Sequence, residues 1–316
     1  MTETGHLPDY SFFGLRLRSP FRLHSFPAWP ALGSDEAPEI ELYFGETPDS
    51  LDKPIWASPF VQIRSDRTAL VNISSVARFW IHGTIQAADT TIIAVQPTPG
   101  AEIFEIETIL LGAVAGIVLH LRSLLPLHAS CVVLGGRAIA FSGPCASGKS
   151  ALAAALVRRG ALLLSDNLLV VGDSGHSVQA VVGTTQLRLW PDVMDRLEIP
   201  RQQRLPTRPG HGKHAVAVPA EEARAWPLEF MVRIESASPV DEPVLIRRHG
   251  LPALFPFKEL VFQREIGRSL GNAAREFHGL TALANGAALF ALRRTKMIND
   301  LDRCADVVMS ALGGGL

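Results

Sequence analysis

Between about Tyr10 and Gln96 the apolar residues come in short runs, among them 13–18 (FGLRLR), 39–44 (EIELYF) and 91–95 (TIIAV), set apart by clusters of Pro, Gly and Asp. Runs of that length with turn-forming residues between them predict strands in a small β-rich domain. Pro97-Thr98-Pro99-Gly100 punctuates its end. The pattern then changes. Residues 102–121 carry apolar side chains around most of a helical circumference, which predicts a mostly buried helix packed against the following domain. The division that follows is a β-rich N-terminal domain over 1–104 and a second domain over 105–316.

The second domain opens with 127–134 (LHASCVVL), Gly135-Gly136 and 137–141 (RAIAF). Two strand-like runs around a two-residue glycine turn predict a hairpin, because both turn positions can need positive φ. It sets His128 on the strand beside the one that feeds the next segment. Residues 151–157 (ALAAALV) are strong helix formers, closed by Arg158-Arg159-Gly160, with cations and a glycine where a helix stops. A nearly continuous apolar strand over 161–171 follows, interrupted only by Ser165-Asp166-Asn167. Strand, helix and strand in succession make the fold class α/β.

Composition narrows the function classes. The chain has 316 residues, 47% of them hydrophobic, enough for a sizeable core in one large or two ordinary domains. A net charge of −1 and a pI near 6.8 speak against a dedicated nucleic-acid or membrane-surface binder, which concentrates Lys and Arg. The cysteines, Cys131, Cys145 and Cys304, are sparse and odd in number, which suggests no disulfide framework and fits a reducing cytoplasm. The N-terminal MTETGHLPDYSFFG has acidic residues and no apolar core of signal-peptide length. The apolar stretch 109–119 and the small-residue run 282–292 are both shorter than a membrane span, and the last residues, 313–316, are expected to fray.

The chemistry is concentrated in FSGPCASGKS at 141–150, which contains Gly143-x-x-x-x-Gly148-Lys149-Ser150. A loop of this kind lets successive amides turn inward and cradle phosphates at the positive end of the following helix. The cradle comprises Gly143, Pro144, Cys145, Ala146, Ser147, Gly148, Lys149 and Ser150; Lys149 reaches the β- and γ-phosphates, and the Ser150 hydroxyl holds Mg²⁺. The four fixed positions arise by accident in roughly one chain of this length in a hundred, so the strand before and the helix after decide the assignment. Asp166, an acid interrupting an apolar strand, requires a partner, which a Mg²⁺-nucleotide or a substrate hydroxyl would supply. Lys213 lies in a basic, Pro/Gly-containing stretch (204–214) that reads either as a solvated loop or as a cationic lid over the transferring phosphate. Arg188 and Arg233 are weaker candidates of the same kind. His211 and His214 lack an accompanying Cys or carboxylate cluster, which argues against zinc.

Together the residues from Leu127 to Val171 (LHASCVVLGGRAIAFSGPCASGKSALAAALVRRGALLLSDNLLVV) resemble the HPr kinase/phosphorylase family, with weaker likeness through 188–191 and Lys213. The segment beginning at Tyr10 (YSFFGLRL) looks like the entry of the smaller homologues that accompany lasso-peptide biosynthesis. The resemblance implies a P-loop kinase core of the phosphoenolpyruvate carboxykinase-like type, using ATP and Mg²⁺. It implies phosphorylation of a Ser, at the C-terminus in the lasso case, of a peptide precursor. By position it makes Asp166 the general base and His128 an active-site histidine, and puts Asn167 with Ser150 at the metal. Two departures stand out: the loop lacks one glycine of the family pattern, and Asn167 replaces a second aspartate, offering an oxygen but no charge. The family's later Glu near the metal has no counterpart in 184–188 (TTQLR). Alternatives are a kinase of an HPr-like carrier protein and a nucleotide-sensing regulator that has lost catalysis; a homo-oligomer is compatible with each.

Overall fold

The computed structural model describes residues 8–30, 37–83, 90–173, 177–208, 210, 212–218, 225–236, 242–249, 253, 259–295 and 300–312. His211 and the tail 313–316, both considered above, lie outside them. The chain forms a mixed α/β structure of two compact units, residues 1–124 with 263–272, and 125–262 with 273–316. The boundary therefore falls after the apolar helix rather than at 104/105, where the change of pattern in the sequence set it.

The first unit is built on an eight-stranded sheet in the order β1-β2-β3-β8-β7-β6-β5-β4. Its strands are β1 (Asp9–Phe12), β2 (Leu15–Arg18), β3 (Ile40–Phe44), β4 (Trp56–Ala57), β5 (Val61–Ile63), β6 (Ala69–Ile73), β7 (Ala77–His82) and β8 (Thr91–Pro97). Alternation is clean where one face is buried: Ala77, Phe79 and Ile81 of β7 point inward, and Arg78, Trp80 and His82 are half-exposed. The strand expected over 13–18 begins two residues late, because Phe13 and Gly14 form the turn of a β1–β2 hairpin with φ of 50° and 86°. Gly14 adopts that angle freely; Phe13 is held there by its buried ring, edge-on to Phe12.

The helix expected over 102–121 is present as Ile103–Leu121, opened by a reciprocal capping box between Glu102 and Glu105 and carrying a π-helical turn at Leu110–Val114. By length and composition it meets the criterion for a membrane span, but 72% of that stretch is buried within the protein, the condition of a core helix. A short helix from late in the chain, Arg264–Ser269, joins this unit: Asn272 donates to the His120 carbonyl at 2.7 Å, and Gly267 abuts the His120 ring so closely that a Cβ there would lie 2.6 Å from it.

The second unit has a nine-stranded sheet whose main path is β12-β10-β11-β17-β14-β13-β9, with β19 beside β17 and β18 beside β19. The strands are β9 (Pro126–Leu127), β10 (Ser130–Leu134), β11 (Arg137–Ser142), β12 (Leu162–Ser165), β13 (Leu169–Asp173), β14 (Val178–Val181), β17 (Ala225–Ser236), β18 (Val244–Arg248) and β19 (Ala288–Arg294). A separate two-stranded antiparallel sheet pairs β15 (Gln186–Leu189) with β16 (His214–Ala217). Successive residues of β10 and β11 point to opposite faces. Val132, Ile139 and Phe141 pack with the helices Lys149–Val157 and Leu301–Leu312, while Cys131, Val133, Ala138 and Ala140 pack with Leu283 of the helix Ala273–Gly286. The small-residue run 282–292 is thus the end of a helix followed by β19.

The β10–β11 hairpin has the expected register, and Gly135 and Gly136 take φ of 57° and 75°. The predicted continuous strands are each broken. Residues 127–134 divide at His128-Ala129 into β9 and β10, and 161–171 divide at Asp166-Asn167-Leu168 into β12 and β13. The two breaks match, since β10 pairs with β12 and β9 with β13. Side-chain oxygens cause the second break. The Ser165 hydroxyl donates to the Leu168 carbonyl, and Asn167 turns the chain at φ 69°, a left-handed value that Asn tolerates better than any residue but glycine.

Candidate active site at the glycine loop

β11 and β19 each run parallel to the long strand β17, so the loop after β11 emerges at the carboxyl ends of three parallel strands, where open α/β sheets place ligands. Gly143 takes φ 146°, and a Cβ on it would lie 2.8 Å from Ser147 Oγ and 2.9 Å from the Ile234 carbonyl; no other residue fits. Gly148 opens the helix Lys149–Val157 at φ 94°. Ala146 takes φ 60° and so supplies a left-handed turn without a glycine, at a cost of about 1 kcal/mol. The Ser147 amide closes a turn onto the Pro144 carbonyl at 3.1 Å, while its buried hydroxyl has no hydrogen-bond partner among the described residues. Cys145 is exposed on the loop.

Lys149 is 7% exposed and donates to the carbonyls of Gly143 at 3.0 Å and Pro144 at 3.1 Å. Burial lowers its ammonium from the usual range, opposed by the nearby Cys145 and Asp166. Ser150 donates to Asp166 Oδ1 at 2.8 Å, and the same oxygen accepts from Ser130 Oγ at 2.6 Å. The other oxygen of Asp166 accepts from the Arg188 amide at 3.1 Å. The partners that a buried Asp166 requires thus come from the chain itself. Ser130, on β10, was not singled out in the sequence; its only mark there is its place two residues beyond His128.

His128 sits at the break between β9 and β10, its amide donating to the Leu260 carbonyl at 2.6 Å and its ring edge-on to Phe262 at 6.0 Å between centroids. Its pKa is pushed down to about 4, mostly by burial, with Lys149 and Lys213 acting in the same direction and Asp166 against them. His128, Lys149, Asp166 and Lys213 are therefore near enough to feel one another's charge. Lys213 is half-buried, its ammonium 6.0 Å from the Trp190 ring centroid, and its carbonyl accepts from Thr207 at 2.8 Å. Gly212 lies against Trp190, where a Cβ would be 2.7 Å from the ring. Asn167 is adjacent in sequence, yet the carboxylate that reaches Ser150 is that of Asp166. Arg233 is paired with Glu259 at 3.4 Å.

A further residue at the loop escaped the sequence reading. The Arg294 guanidinium, at the carboxyl end of β19, lies over Gly148, its Nη1 3.3 Å from the position a Cβ would take. It is brought there from 146 positions along the chain by the β17–β19 pairing.

Neither a family model nor a curated protein sequence matches the chain. Among solved structures it is similar to the Hpr(Ser) kinase/phosphatase from Coxiella burnetii, with a TM-score of 0.32 and 13% sequence identity over 58% of this chain and 94% of that one.

Proposed function

We propose that the protein is a phosphotransferase that uses ATP and Mg²⁺ to phosphorylate a Ser hydroxyl of a peptide, on a P-loop kinase core of the phosphoenolpyruvate carboxykinase-like type. The observation that carries this reading is the contact of Ser150 with Asp166 at 2.8 Å beside Lys149, which gathers a metal-binding hydroxyl, a carboxylate and a phosphate-seeking ammonium at one helix start. The Ser147 hydroxyl, buried in the loop with no partner among the described residues, fits a phosphate oxygen, and the hydroxyl and carboxylate oxygens fit a hard cation such as Mg²⁺. Bound Mg²⁺-ATP would supply the transferable phosphoryl group. The loop amides orient it, and Lys149 exchanges two backbone carbonyls for phosphate oxygens.

Asp166 then serves as general base toward the acceptor hydroxyl, with neutral His128 supporting it. The Ser150 contact favours a second reading, in which Asp166 belongs to the metal and another group takes the proton. The finer assignment of the acceptor, a C-terminal Ser of a lasso-peptide precursor handled in the cytoplasm, rests on the resemblance of 127–171 and of the segment from Tyr10. An HPr-like carrier is the alternative acceptor, and Asn167 in place of an acid keeps a nucleotide-sensing regulator in view.

The test is incubation with γ-labelled ATP, Mg²⁺ and candidate acceptors, followed by mass analysis for one added phosphate. Asp166→Asn is expected to lower single-turnover transfer by about 10² or more while ATP binding persists. Loss of ATP binding with transfer retained at saturating ATP assigns Asp166 to the metal instead. Absence of transfer to any acceptor, with binding intact, selects the regulator.

A further inference from the structure

Arg294 occupies an electrostatically costly position. Arg294 is 7% exposed, and among the described residues it makes no ion pair. Its Nε donates to the Thr295 carbonyl at 2.7 Å, and the guanidinium is near enough to the Cys304 thiol to oppose the upward push that burial gives it. Asp300 accepts from the Thr295 hydroxyl. A buried guanidinium without a carboxylate is destabilising unless an anion meets it. The setting increases the cost, because Gly148 is the N-cap of the helix Lys149–Val157 and the amino-terminal end of a helix carries partial positive charge. Lys149 adds a second cation. Asp166, the carboxylate at the loop, is occupied by two hydroxyls and an amide.

The face of the guanidinium is also specific. Nη1, Cζ and Nη2 all lie within 3.3–3.6 Å of where a Gly148 Cβ would be, so the planar group lies flat against the loop glycine. A Cβ at 148 would require the guanidinium to give by a few tenths of an ångström.

We propose that Arg294 is a fixed second cation of the phosphate site, which together with Lys149 holds the polyphosphate of a nucleotide against the start of the helix. The inference rests on the reading of the loop as a nucleotide site, and it adds a residue that neither the loop motif nor the resemblance names. A guanidinium offers several donors in one plane, which suits phosphate oxygens better than an ammonium does.

Calorimetric titration of the full chain with ATP, pyrophosphate and adenosine separates the two claims. Arg294→Gln is expected to weaken ATP and pyrophosphate binding by about tenfold or more and to leave adenosine unaffected, with Arg294→Lys between it and the parent. Arg294→Gln binding both polyphosphates as tightly as the parent overturns the role of Arg294 and leaves the nucleotide reading intact. A parent chain that binds neither ATP nor pyrophosphate overturns both. If Arg294→Gln does not fold, the parent decides. Its Arg294 Nε–H resonance, assigned by its loss in Arg294→Lys, is expected to shift on saturation with pyrophosphate, and a resonance that stays in place while pyrophosphate binds overturns the proposal.

Discussion

At the level of single residues, His128 shows how burial sets a protonation state. Desolvation holds its pKa near 4 against an ordinary 6.5, and the cations Lys149 and Lys213 help, so the imidazole is neutral at physiological pH. The sign for stability follows. The unfolded chain binds a proton at this position between pH 6.5 and about 4 and the folded chain does not, so the contribution to stability is full above 6.5 and is lost as pH falls toward 4. Replacing the titratable ring by His128→Gln is expected to flatten the rise of unfolding free energy with pH across that window, as measured by denaturant titration at several pH values. An unchanged slope would show that His128 titrates as a free histidine. Asn167 and Ala146 make a related point: each occupies a left-handed position without being glycine, so each constrains the turn it sits in.

At the level of elements, the helix Lys149–Val157 is ended by features visible in its sequence. Gly160 takes φ 96°, and the Ala161 amide reaches back to the Leu156 carbonyl at 3.1 Å. Arg159 does more than favour the helix terminus. With Arg196 it binds Asp302 at the start of the last helix, at 2.8 and 2.6 Å. The hydrogen bond from Arg159 holds the Asp302 carboxyl below its ordinary range. A depressed carboxylate stabilises above its unfolded pKa and loses that contribution as pH falls through the folded value. Asp302→Asn is therefore expected to cost about 0.5–1 kcal/mol at neutral pH, a modest figure because the group is partly exposed, and to cost nothing in acid below the carboxylate range. A cost that persists there would place the effect in packing.

The same elements show what the sequence made legible. The hairpin, the loop and the loop helix could be read because turn chemistry and propensity are local. The breaks at His128-Ala129 and at 166–168 could not, since apolar residues continue through both and only the matched pairing of β9 with β13 and β10 with β12 separates them. Ser130 and Arg294 were hidden for the same reason. Their place beside the loop arises from strand pairing, which no local pattern reports.

At the level of the molecule, the second unit works as a frame that brings distant residues to the carboxyl ends of parallel strands. The loop follows β11, Arg294 ends β19, and β17 lies between them. Asp166 and His128 enter from the breaks in the sheet, and Lys213 from just ahead of β16. Assembly of one Mg²⁺-nucleotide site from these segments is the central claim, and equilibrium binding of ATP tests it most directly when measured with and without Mg²⁺ on the parent and on Lys149→Ala. The account predicts that the parent binds ATP, that Mg²⁺ raises the affinity, and that Lys149→Ala remains folded by circular dichroism while ATP affinity falls by about tenfold or more. A parent that does not bind ATP, or a Lys149→Ala chain that binds Mg²⁺-ATP unchanged, would contradict it.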